Sequence, residues 1–120
     1  MKTCLVVDDV TVSRFAAESF LEELGFKTIE AADGEQALEV LSSQNIDVIL
    51  LDWHLKKKSG LELLQIIRQK YGTDLRVVVF SGVEDESRAA EAHEMGANAF
   101  ICKPTTKEKI EHVFRSLGML

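Results

Sequence analysis

Short β-branched apolar runs alternate with longer stretches of helical spacing five times along this chain, and that cycle leaves very few architectures open. The runs Thr3 to Val7, Lys27 to Ala31, Ile46 to Leu51, Leu75 to Phe80 and Ala99 to Cys102 read as strands. Between them Val12 to Leu24, Glu35 to Leu41, Leu61 to Tyr71, Asp85 to Met95 and Thr106 to Leu117 read as helices, with apolar positions three and four apart. Asp33 with Gln36, Ser59 with Glu62, and Thr105 with Glu108 have the spacing of capping boxes, and Gly25, Gly72, Gly96 and Gly118 stand where helices should stop.

Strands alternating with helices pair in parallel through right-handed crossovers, so both faces of the sheet are covered and an α/β three-layer sandwich results. Leu5-Val6-Val7, Val48 to Leu51 and Val77 to Phe80 are apolar on both faces, which makes strands 1, 3 and 4 central. Lys27 to Glu30 alternates and Ala99 to Cys102 is short, so strands 2 and 5 lie at the edges. The flavodoxin-like order 2-1-3-4-5, a (βα)5 arrangement, satisfies both conditions.

The 120 residues are 46% hydrophobic and fit one compact domain, expected to span residues 1–120. A net charge of -6, from 20 acids and 14 bases, argues against nucleic acid and anionic membranes as partners. The longest apolar run, Val48 to Leu51, is too short to span a bilayer, and a cytoplasmic protein is expected. Cys4 and Cys102 have neither close spacing nor a His-rich setting and read as reduced thiols of the core.

In such a sheet ligands bind beyond the carboxyl ends of the strands. Strand 1 ends in Asp8-Asp9, strand 3 in Asp52, strand 4 in Ser81 and strand 5 in Lys103. Clustered carboxylates repel one another unless neutralised, and a hard cation with oxygen ligands, Mg²⁺, is the expected remedy. Asp52 is the candidate nucleophile, with Lys103 and Ser81 set to stabilise a transferring phosphoryl group. Taken singly, Asp8 and Asp9 read equally well as helix-start acids, Asp52 as a turn residue and Lys103 as a loop base. Their joint placement at four parallel strand ends is what points to chemistry.

Over its whole length the chain resembles the receiver domains of bacterial response regulators, and among them the single-domain chemotaxis branch. The resemblance rests on Asp8-Asp9, Asp52-Trp53, Gly60 to Leu64, Ser81, Lys103-Pro104 and the ending Phe114 to Met119. It implies phosphorylation of Asp52 from a phosphohistidine on a histidine kinase or histidine phosphotransfer protein. It also implies Mg²⁺ held directly by Asp9 and Asp52 with Asp8 in support, and the backbone carbonyl of His54 completing the ligand set. A cis peptide before Pro104 and a switch pair, Ser81 and Phe100, belong to the same pattern. So does an output face formed by helix 4, strand 5 and helix 5, through which a downstream protein target would be bound. His54 and Val83 match positions that tune dephosphorylation.

The sequence departs from this pattern at Leu55-Lys56, where Met-Pro is usual, at Gly82 and at Thr105. Lys56-Lys57-Lys58 reads either as a solvated loop or as a site that attracts an acidic donor or partner. Arg14 and Phe15 read as part of a donor-docking face, with ordinary packing an equal alternative for Phe15; His93 and His112 read as solvated. Competing readings are an aspartyl-phosphate phosphatase, in which a second Asp would stand where His54 is, and a receiver-like adaptor that works without phosphorylation. A nucleotide or flavin binder lacks the Gly-rich phosphate loop that should follow strand 1.

Overall fold

A computed structural model of the protein describes residues 1–82 and 87–120. Five strands, β1 (Thr3–Val7), β2 (Lys27–Ala31), β3 (Val48–Asp52), β4 (Arg76–Ser81) and β5 (Ala99–Cys102), form one parallel sheet in the order β2-β1-β3-β4-β5. Helices α1 (Thr11–Glu23), α2 (Gly34–Ser43), α3 (Gly60–Tyr71), α4 (Ala89–Glu94) and α5 (Lys107–Ser116) connect them. The flavodoxin-like fold expected from the alternation is the one observed.

Period-two geometry sends successive strand residues to opposite layers, which is why the central strands are apolar throughout. Cys4, Val6, Val48, Leu50, Val78 and Phe80 pack with Ala17 and Leu21 of α1 and with Ile110 and Phe114 of α5. Leu5, Val7, Ile49, Leu51, Val77 and Val79 instead meet Ala37, Leu41, Leu63, Leu64, Ile67 and Ala92 from α2, α3 and α4. All of β3 is buried, so its last residue, Asp52, is delivered from the middle of the core to the carboxyl edge.

Local signals set the ends of the helices. Asp33 accepts a hydrogen bond from the Gln36 amide and Ser59 one from the Glu62 amide, as the capping spacing predicts. The third cap is shifted by one residue: Thr106, in extended backbone, accepts from Lys109, while the Thr105 hydroxyl is buried without a hydrogen-bond partner. Gly72 closes α3 at φ 73°, where a side chain would be strained. The expected start of the fourth helix at Asp85, and Val83, lie outside the described residues; the helix is observed over Ala89–Glu94. Cys4 is buried, Cys102 is only partly so, and both are free thiols. No helix among the described residues is long and apolar enough to cross a membrane.

Candidate functional site

The end of β1 is pinned by its neighbours. The Asp8 amide donates to the Ala31 carbonyl of β2 at 3.1 Å, and the Asp8 side chain accepts from the Val10 amide at 2.9 Å. From the second turn of α1, Arg14 Nη1 donates to the Asp8 carbonyl at 2.7 Å, while its Nε lies 3.6 Å from Glu30 on β2. Val10 is the N-cap of α1 and no acid stands in the first turn of that helix, so Asp8 and Asp9 precede the helix and neither occupies its cap position. Phe15 is 70% exposed and Val12 80%, which removes the packing role for Phe15 and leaves an apolar patch at the start of α1.

Asp52 pairs in register with Phe80, and the next amide, Trp53, donates to the Phe80 carbonyl at 3.1 Å. The following loop is closed at its base by Gly60, whose amide donates to the Trp53 carbonyl at 2.8 Å. A Cβ on Gly60 would press into the Asp52 carbonyl and stand 2.8 Å from Trp53 Cα, so the closure requires glycine. Trp53 is buried and meets Phe100 edge to face at 6.5 Å between centroids; Arg88 lies over the same ring at 5.2 Å. Those aromatic contacts depend on which strands become neighbours, and no sequence spacing announces them.

At the end of β5 the Lys103 amide donates to the Ser81 carbonyl at 2.6 Å, and the Lys103–Pro104 peptide is cis. Lys109 Nζ holds the turn from the other side, bonding the Cys102 and Pro104 carbonyls at 3.0 Å each. Lys103 Nζ reaches back over the sheet edge to lie 3.4 Å from Asp8 Oδ2, 3.4 Å from Asp52 Oδ2 and 4.7 Å above the Phe80 ring. Ser81 is buried at the end of β4.

Asp8, Asp9, Asp52, Ser81 and Lys103 therefore share one end of the sheet. Phe100 stands behind it, partly buried on Trp53, whereas the His54, His93 and His112 side chains are exposed. His54 contributes its backbone amide, which donates to Asp52 Oδ1 at 3.2 Å.

One oxygen from each of Asp8, Asp9 and Asp52 lies within 4.8 Å of the others, and two of these three acids are buried. Set against one ammonium, three carboxylates leave two negative charges in excess. Burial pushes the Asp52 carboxyl up to about 6; Lys103 opposes the shift, Asp8 adds to it by charge and by a shared hydrogen bond, and the His54 amide opposes it. An all-oxygen donor set with two uncompensated charges suits a small hard divalent cation such as Mg²⁺ better than any thiolate-seeking or imidazole-seeking metal.

Comparison with known proteins points to one family. The family model for the response regulator receiver domain matches residues 4–115. A chemotaxis protein CheY of Pseudomonas aeruginosa is 35% identical over 120 residues, covering 95% of this chain and 97% of that protein. Chemotaxis protein CheY-3 of Vibrio cholerae is 34% identical over 119 residues, covering 94% of this chain and 92% of its own length. Among solved structures, the receiver domain of NtrX from Brucella abortus superposes with a TM-score of 0.89 at 30% identity, over 94% of this chain and 95% of that one. A response regulator receiver protein from Pseudomonas putida gives 0.86 at 29% identity, over 96% of each chain.

Proposed function

Since this chain belongs to the response regulator receiver family, and so to two-component signalling, we propose that it is a phosphoacceptor switch spanning residues 1–120. Asp52 takes the phosphoryl group from a phosphohistidine on a histidine kinase or histidine phosphotransfer protein. The observation that carries this reading is the group of three carboxylates Asp8, Asp9 and Asp52, two of which, Asp8 and Asp52, lie 3.4 Å from a single ammonium at the carboxyl edge of the sheet.

In the transfer an Asp52 carboxylate oxygen bonds to phosphorus as the P–N bond of the donor breaks; the imidazole nitrogen keeps the electron pair and takes up a proton. A carboxyl held near 6 is largely ionised at neutral pH and more basic than an exposed one, which suits a nucleophile. Asp9 and Asp52, with the His54 backbone carbonyl and with Asp8 in support, would hold Mg²⁺, which supplies neutralisation of the acids and of the incoming phosphoryl oxygens. Lys103 Nζ, already beside Asp52, is within reach of a phosphoryl oxygen, and the Ser81 hydroxyl at the end of β4 donates to another. Arg14 keeps the β1–α1 loop in place by its bond to the Asp8 carbonyl.

The added charge draws Ser81 and Lys103 toward the phosphoryl group, and Phe100 follows inward against Trp53. That motion alters the face made by α4, β5 and α5, where a downstream protein is bound. A hollow of about 170 Å³ there, lined by Phe100, Cys102, Lys109, His112 and Val113, supports this choice of face. The exposed Val12 and Phe15 on α1 are assigned to donor docking.

Incubation with Mg²⁺ and acetyl phosphate tests the proposal by mass spectrometry. Wild type should gain one phosphoryl group, lost in hydroxylamine, and Asp52→Ala should gain none. Equal behaviour of the two proteins refutes it and leaves the adaptor reading, whereas steady release of phosphate from a phosphomonoester would favour the phosphatase.

A further inference from the structure

The loop that follows Asp52 carries Lys56, Lys57 and Lys58 in a chain whose net charge is -6. Lys56 and Lys57 are exposed, and Lys58 lies partly covered, close enough to Gly34 that a Cβ there would stand 3.3 Å from its side-chain carbons. Two exposed arginines elsewhere are matched, Arg88 with Glu91 at 3.4 Å and Arg115 with Glu111 at 2.8 Å, whereas three consecutive lysines stand together here. Among the described residues, no acid pairs with any of the three lysines.

Resting on the receiver reading above, we infer that Lys56 and Lys57 form an interaction surface for an acidic segment that flanks the phosphohistidine of the donor protein. Three features converge on that partner. Closure of the loop at Gly60 and Trp53 ties both ends of the lysine segment to the carboxyl end of β3, where Asp52 stands, so a donor that reaches Asp52 comes to the end of the sheet from which this loop springs. The carboxylate group and the overall acidity of the chain repel an anionic donor, and a local positive rim offsets that repulsion where contact is made. On the opposite flank the exposed patch of Val12 and Phe15 offers apolar contact but no charge, so discrimination by charge falls to the lysine side. A donor with basic residues around its histidine is excluded by the same rim.

The test uses the full chain with Mg²⁺ and two synthetic peptides that each carry one phosphohistidine, flanked in one by glutamates and in the other by glutamines. At low ionic strength wild type should accept from the glutamate peptide roughly five times faster than from the glutamine peptide, a modest case of electrostatic steering. The double variant Lys56→Gln, Lys57→Gln should bring that ratio close to one, and so should ~1 M salt, where the screening length is about 3 Å. A wild-type ratio of one, or a ratio the double variant keeps, overturns the inference.

Should both peptides transfer too slowly to follow, amide NMR with the unphosphorylated glutamate peptide decides instead. Shifts centred on residues 56–58 that the glutamine peptide does not cause support the inference, and their absence refutes it. Phosphoramidate serves as the control for the receiver reading: if it fails to modify Asp52, the phosphoacceptor claim itself has failed. If it modifies Asp52 while the peptides are not distinguished, only the role of the lysines is lost.

Discussion

The two ends of the sheet treat charge in opposite ways. At the amino end the Arg68 guanidinium of α3 is saturated: Nε and Nη2 reach the Gly96 carbonyl at 2.9 and 2.7 Å, and Nη1 reaches the Gly72 and Leu75 carbonyls at 2.9 and 2.6 Å. Nη2 also meets Asn98 Oδ1 at 3.0 Å, and that same oxygen accepts the Val77 amide of β4 at 2.8 Å. At the carboxyl end three acids cluster beside one lysine that reaches only two of them, Asp8 and Asp52, and the Asp52 carboxyl is driven up to about 6. A charge matched by carbonyl dipoles ties elements together; a surplus left unmatched asks for something from outside. The first arrangement is architecture, and the second carries the surplus charge that the proposed cation would neutralise.

Removing the matched cation should cost most. Arg68→Leu strips donors from three carbonyls and from Asn98, so a loss of about 2–4 kcal/mol is expected in urea unfolding. A loss under about 0.5 kcal/mol would place this end among ordinary solvated surfaces.

Removing the unmatched charge should do the reverse. For Asp52 the folded value of about 6 lies above the ordinary 3.8, so the proton is held more tightly in the fold than in the unfolded chain. The stabilisation this gives is present at low pH and lost as pH rises through about 6. Asp52→Asn should therefore stabilise the metal-free protein at pH 7 by about 1–3 kcal/mol, the gap opening between about pH 4 and 6. Melting curves in EDTA across that range check it, and added Mg²⁺ should raise the Tm of wild type far more than that of the variant.

The smallest effect sharpens the comparison from a third place. Glu18 on α1 is pushed up to about 7 by burial and by the hydrogen bond and charge of Glu30, with Arg14 opposing and Glu22 adding. Glu18→Gln should flatten stability between about pH 4.5 and 7 by a fraction of a kcal/mol, because the group is partly solvated. Titration calorimetry should find Mg²⁺ affinity unchanged, since Glu18 is not in the carboxylate group.

How much of this could be read without coordinates depended on whether a feature is local. The strand order followed from Leu5 to Val7, Val48 to Leu51 and Val77 to Phe80, because burial on both faces writes itself into composition. Asp8, Asp9, Asp52, Ser81 and Lys103 could be gathered on paper because parallel strands put their last residues at one edge. The caps at Asp33 and Ser59 are local and were legible. The capping spacing pointed to Thr105, with Glu108 three residues on, but the cap is Thr106, whose extended backbone lets its hydroxyl meet the Lys109 amide. Arg68 and Asn98 lie 30 residues apart, and nothing in either segment announces the other. Arg14 could be placed near the acids, but its bond to the Asp8 carbonyl depends on how the loop turns.

The glycine clasp beneath the lysine loop has a consequence for how such proteins diversify. With Trp53 and Gly60 joined at 2.8 Å, the exposed positions 56 and 57 ride on a loop whose two ends are fixed. Their chemistry can be exchanged, basic for acidic or apolar, while Asp52 keeps its setting. On the proposed reading, donor preference could then drift over generations, or be rewritten at the bench, with the carboxylate group left alone.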